Sequence, residues 1–139
     1  MGLRAWLANR FAGNDPLGQR GENAAVRYLK RKGYRILARH LDSPLGELDI
    51  IAVDGRTVVF VEVKTRATTD AGHPAEAIDD RKQQRMTQAA LAYLKANRLL
   101  TYAARFDVVA ITWPDGARRP VIEHYISAFA PTGSGQFFS

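Results

Sequence analysis

Gly46 to Arg66 reads GELDIIAVDGRTVVFVEVKTR, and how these residues pair decides the fold. Two apolar runs alternate with period two on either side of Asp54-Gly55, a dipeptide suited to the positive φ angles of a tight turn. The pattern predicts an antiparallel hairpin. With Asp54 and Gly55 as its two loop residues, Val53 faces Arg56, Asp49 faces Phe60 and Glu47 faces Glu62. Alternation puts Glu47, Asp49, Glu62 and Lys64 on one side of the sheet, and Leu48, Ile50, Val59, Val61 and Val63 on the other.

Acids among apolar neighbours need a partner. Like charges opposite each other destabilise a ladder, and a buried carboxylate without a counter-charge costs several kcal/mol. A divalent cation answers that need: Mg²⁺ is a hard ion that takes carboxylate oxygens, keeps several waters and is commonly completed by substrate phosphates. Lys64, two residues beyond Glu62 and so roughly 7 Å along the same face, is placed to reach a water or phosphate oxygen there. The plainer alternative for Glu62 and Lys64 is an ordinary charged strand face. Two features argue against it: Asp49 and Glu62 are each embedded among β-branched or aromatic residues, and a second acidic strand pairs with the first.

The 139 residues suit one domain with one core. Lys and Arg number 20 against 14 Asp and Glu, a net charge of +6, with a sequence pI near 10.0. A polyanion is the natural partner, although charge alone does not separate nucleic acid from an anionic membrane surface. The absence of cysteine excludes disulfides, zinc thiolate sites and a thiol nucleophile, and it is compatible with a cytoplasmic location. No apolar stretch approaches the ~20 residues that span a bilayer.

Outward from the hairpin, residues 1 to 17 form an N-terminal extension. Leu3, Trp6, Leu7 and Phe11 stand there at helical spacing in a run too broken for a secretory signal; docking on the body, fraying, lying on a membrane or meeting a partner are its readings. A helix is expected from Asp15 to Lys32, opened by Asp15-Pro16 and closed by Gly33. Glu22, Ala25, Val26 and Leu29 share its inner stripe, which makes Glu22 either a further inward acid or a favourable charge near the helix N-terminus. Arg20, Arg27, Lys30, Arg31 and Lys32 supply a positive face.

A strand is expected over Tyr34 to Leu41, and a loop over Ala67 to Ala77 that could reach over a substrate. A second helix follows from Ile78 or Asp79 to Leu99, with Met86, Ala89, Ala90, Tyr93 and Leu94 buried. Arg81, Lys82, Gln83 and Arg85 crowd its first turns, where they either hold backbone phosphates or form a solvated face. Arg105 to Trp113 and Pro120 to Ala128 complete the strands. Asp107 reads as a salt-bridge partner of Arg105 or Arg66. Residues 131 to 139 form a tail. His40, His73 and His124 show no metal-ligand spacing and read as surface or satisfied polar groups. There is no G-x-S-x-G elbow or phosphate-loop lysine.

Gly18-x-x-Gly21-Glu22, Gly46-Glu47-Leu48-Asp49-Ile50-Ile51-Ala52, Phe60-Val61-Glu62-Val63-Lys64-Thr65-Arg66 and Arg105-Phe106-Asp107-Val108-Val109 together make the chain resemble the YraN family of small bacterial proteins. That family in turn resembles Holliday junction resolvases and the PD-(D/E)xK nucleases. The resemblance spans residues 18 to 128, leaves the N-terminal segment outside, and has His40 where Asn is expected.

It implies an α/β, restriction endonuclease-like sandwich, with a mixed central sheet flanked by helices and a nuclease-like domain over residues 18 to 130. It also implies catalytic Glu22, Asp49, Glu62 and Lys64. Mg²⁺ or Mn²⁺ would be held by Asp49, Glu62, the Val63 carbonyl, and Glu22 directly or through water. Arg66, Arg81, Lys82, Gln83, Arg85, Arg20 and Arg27 would contact nucleic acid, and the implied assembly is a homodimer.

The expected activity is metal-dependent hydrolysis of branched or structured DNA. A noncatalytic nucleic-acid-binding module and a membrane-surface protein are the alternatives.

Overall fold

A computed structural model describes residues 16–68 and 72–132. The expectations for residues 1 to 15, and for the tail beyond 132, lie outside the described residues. Helix α1 spans Pro16–Arg31, and strands β1 (Arg35–Ser43), β2 (Gly46–Asp54) and β3 (Thr57–Arg66) follow. A 3₁₀ turn at Pro74–Ala77 leads to helix α2 (Asp80–Ala96), then to strands β4 (Ala103–Thr112) and β5 (Val121–Phe129). The strands form one sheet in the order β1-β2-β3-β4-β5. All neighbours are antiparallel except β3 and β4, which run parallel. Parallel neighbours need a crossover, and α2 is that crossover.

Length suggests one core, but the two faces of the sheet carry separate cores, because a sheet lying between two helices divides the buried apolar residues between its faces. Ala24, Ala25, Val26 and Leu29 of α1 pack on Ile50, Ala52, Val59, Val61, Val63, Val109 and Ile111. On the opposite face Met86, Ala89, Ala90 and Leu94 of α2 cover Ile51, Val58, Phe60, Ala104, Phe106 and Val108. Each strand therefore feeds both cores through alternate residues, and the central strands read as apolar runs for that reason. The result is an α/β sandwich with a mixed sheet between helices, consistent with the restriction endonuclease-like architecture.

The hairpin forms, but its turn lies one residue later than the sequence reading puts it. Asp54 pairs with Thr57 and Val53 with Val58, so Gly55 and Arg56 are the loop residues. Gly55 adopts φ +61° and Arg56 is not in the positive-φ region; a turn that needs positive φ only at its first loop position takes glycine there. The slip preserves which side each residue faces but changes who meets whom: Phe60 lies opposite Ile51, not Asp49. Leu48 also departs from the expected alternation and joins the core under α2. The β2–β3 ladder stops at Ile50 and Val61, which releases the residues beyond it from the regular pleat.

Two close approaches set the helices. A Cβ on Gly21 would fall 2.0 Å from Thr65 Oγ1, so only glycine lets α1 lie this near β3. At α2, Asp79 caps the N-terminus by accepting the Lys82 N–H at 2.8 Å, and the Gln83 side-chain amide donates to the Ile78 carbonyl at 2.9 Å. The first satisfies an N–H that a helix start leaves open, and the second ties the carbonyl just ahead of the cap to the helix's first turn.

Candidate active site

The register found in the hairpin builds the site. One step past the last ladder pair, Asp49 and Glu62 come opposite each other, 3% and 5% exposed. Asp49 Oδ2 accepts the Val63 backbone N–H at 2.9 Å, so a side chain takes the place of a ladder carbonyl where the two strands part. The Glu62 carboxyl group points to the face that α2 covers. From the first turn of α2, the Lys82 ammonium descends onto Glu62 Oε2 as an ion pair. Among the described residues, no other donor reaches that buried oxygen. Lys64 stands beside Lys82 and Glu62.

The electrostatics follow from burial. Desolvation, then the adjacent Asp49 carboxylate, pushes Glu62 up to about 8, against the opposing pull of Lys82 and Lys64. Burial lowers Lys64, with the Lys82 ammonium adding to the effect. Burial also disfavours the charged form of Lys82, but Glu62 and Asp49 more than offset it, and its pKa is raised. Two acids and two lysines thus form one buried cluster in which burial disfavours the charge on Glu62 and on Lys64.

Glu22 is buried at 1%, as an inward acid should be, but it hangs from α1. Its Oε1 meets His40 Nε2 at 2.7 Å and the Arg39 guanidinium at 3.3 Å, and Arg39 also donates to Asn23 at 2.7 Å. His40 holds a positive φ of 53° in β1. Among the described residues, no group of three or more His, Asp or Glu side chains is arranged to hold a metal. Asp49 and Glu62 therefore stand as a two-carboxylate site, whose other ligands would be the Val63 carbonyl, water and phosphate. That donor set suits Mg²⁺ or Mn²⁺: hard oxygens, one of them reached among the described residues only by an ammonium, which already supplies positive charge there.

The basic residues divide. Arg27, Arg81 and Arg85 are exposed and available to a polyanion, and Arg20 is exposed while stacking on the Trp113 ring at 4.0 Å. Arg66, partly buried, is bonded within the chain, donating to the Gly72 carbonyl at 2.6 Å in an exposed contact and approaching Thr112 Oγ1 at 3.4 Å. Gln83 serves the helix start. Asp107, fully buried, bonds Arg105 at 3.0 Å, His124 at 2.8 Å and the Ser127 N–H at 3.0 Å. Arg105 is one of the two partners read from sequence. The His124 contact is new, and strand alternation gives no sign of it because the bond crosses between β4 and β5. Lys82 reads from sequence as a residue facing phosphate or solvent; its grip on Glu62 depends on how α2 docks, which no local pattern records.

Comparison with known proteins gives the chain a family. The profile of uncharacterised protein family UPF0102 matches residues 21–111, a range that holds Glu22, Asp49, Glu62, Lys64 and Lys82. A UPF0102 protein of Rhodopirellula baltica is 47% identical over 98% of this chain and 86% of its own length. One from Geobacter sulfurreducens is 49% identical over 84% of this chain and 90% of its own. One from Chlorobium limicola is 44% identical over 84% and 95%. The Rhodopirellula match runs into the N-terminal extension that the motif resemblance leaves outside. On the profile match and on these identities, the chain belongs to the UPF0102, or YraN, family.

Proposed function

We propose that this protein is a metal-dependent endonuclease that hydrolyses phosphodiester bonds in branched or otherwise structured DNA. The observation that carries the reading is the buried Asp49–Glu62 pair on diverging strands with Lys64 and Lys82 against it. A fold whose stability alone mattered would be served as well by apolar residues there, since buried ion pairs are often replaceable without loss. When bound, Mg²⁺ or Mn²⁺ supplies a water of lowered pKa and offsets charge on the phosphate oxygens.

The chain's own residues do the rest. Asp49 and Glu62 bind the ion, and the Val63 N–H fixes the Asp49 carboxylate so that one oxygen keeps its aim. Lys64 orients the attacking water and stabilises negative charge building on the phosphate. Glu22, held by Arg39 and His40, keeps a water-mediated part. Arg20, Arg27, Arg81 and Arg85 hold backbone phosphates, which positions DNA without reading bases and favours recognition of shape.

Cleavage assays with Mg²⁺ or Mn²⁺ on four-way junctions, flaps and linear duplex test this. Cutting of a branched substrate that Asp49→Asn abolishes is the expected result. Failure of folded, clean protein to cut any of the three would overturn it.

One observation favours a second reading, a noncatalytic nucleic-acid-binding module: Lys82 already neutralises Glu62. In that case Asp49→Asn leaves DNA affinity and cellular function intact, whereas loss of Arg81 and Arg85 abolishes both.

A further inference from the structure

The contact between Lys82 and Glu62 does more than fill space. Building on the metal-dependent reading of the Asp49–Glu62 pair, we infer that Lys82 is a built-in competitor for the metal, an ammonium that occupies the Glu62 carboxylate until a divalent ion displaces it toward a substrate phosphate.

Four features support the exchange. Lys82 Nζ pairs with Glu62 Oε2, which no other donor among the described residues reaches, so ammonium and metal would compete for the same atom. The Lys82 side chain is 31% exposed whereas Glu62 is 7% exposed, so the lysine has an open route outward and the carboxylate does not. The Lys82 backbone is pinned by the Asp79 cap, so the helix need not move when the flexible four-carbon stem swings. Finally, Arg81 and Arg85 flank Lys82 on exposed turns of α2, and an ammonium leaving Glu62 arrives where backbone phosphates are expected.

The charges make the exchange cooperative. Asp49, Glu62, Lys64 and Lys82 sum to zero when all are ionised, so the closed cluster draws neither cation nor anion strongly. A divalent ion that enters while Lys82 stays meets like charge a few ångströms away. It binds well only once Lys82 has left, and Lys82 leaves readily only when phosphate receives it. Metal and DNA then each tighten the other's binding by the same factor, as linkage requires. Metal alone therefore opens the cluster only at high concentration, and metal with DNA opens it readily, which limits adventitious cutting and metal capture.

The test reads metal binding, not cleavage. Free Mn²⁺ is measured by electron paramagnetic resonance during titration of the full chain, for wild type, Lys82→Met, Lys82→Gln and Asp49→Asn, all without DNA. Removing the ammonium should tighten Mn²⁺ binding by well over tenfold, as expected when a like charge beside a divalent ion is deleted. Mn²⁺ should also raise the melting temperature of Lys82→Met more than that of wild type. Lys82→Gln, which keeps a polar group over Glu62, covers the case in which Lys82→Met fails to fold. Asp49→Asn should bind little. Detectable Mn²⁺ binding by the Lys82 variants alone would also support the exchange. Equal or weaker binding by the folded variants, or none by any protein, would overturn it. An inactive protein that nevertheless shows the tightening would sink the nuclease reading and leave the exchange standing.

Discussion

Glu62 carries the strongest conflict in the molecule, a carboxyl group buried beside another carboxyl group where two strands part. Its folded pKa of about 8 lies above the ordinary 4.5, so between those values the folded protein holds a proton that the unfolded chain has released. Stability from this group is therefore full below the lower value and is lost as pH rises through the upper one. Metal-free wild type should lose melting temperature across that window. Glu62→Gln should remove this part of the decline and match or exceed wild type at the alkaline end; parallel melting curves for the two proteins would contradict it. Asp49, Glu62 and Lys64 were legible in the sequence because alternation marks charged positions within apolar strands. Lys82 was legible only as a basic residue, because its partner lies on another element and the contact depends on tertiary docking.

Between elements, two contacts decide how the layers sit. Gly21 lets α1 approach β3, and Gly21→Ala would drive a methyl group into Thr65. The expected loss is about 1–3 kcal/mol, typical of overpacking, and Thr65→Ala in the same chain should restore part of it in urea melts. Full stability of the single variant would refute the contact. Asp107 ties β4 to β5: burial alone would raise its pKa, but His124, Arg105 and the Ser127 N–H hold it below the usual carboxylate range. Its contribution is present above that range and is lost as pH falls through the depressed value. Asp107→Asn should cost about 1–3 kcal/mol at neutral pH by weakening the charge-assisted bonds to Arg105 and His124, while Arg105 keeps Asp54 at 3.1 Å, as measured by chemical denaturation. The order and type of the elements were legible from period, caps and turn residues. The hairpin register was not, because Asp54-Gly55 and Gly55-Arg56 are both workable loops that leave every residue on the same face, and they differ only in cross-strand partners such as Ile51 and Phe60.

Across the whole molecule a net charge of +6 and the exposed arginines of both helices suit a partner bound through its phosphates. No helix among the described residues is long and apolar enough to cross a membrane. Affinity for four-way junctions should fall steeply with salt, and removing Arg81 and Arg85 together should flatten the log–log slope by roughly two. Fluorescence anisotropy across a salt series checks this, and an unchanged slope would place the DNA elsewhere. Both the nuclease chemistry and the lysine exchange turn on whether the Asp49–Glu62 pair grips an ion. A crystal structure from Mn²⁺-soaked protein, with the ion located by anomalous scattering, decides that question. A peak is expected between the Asp49 and Glu62 carboxylates, with Lys82 swung off Glu62. A site without anomalous density at saturating Mn²⁺, with Lys82 still on Glu62, would refute the metal site.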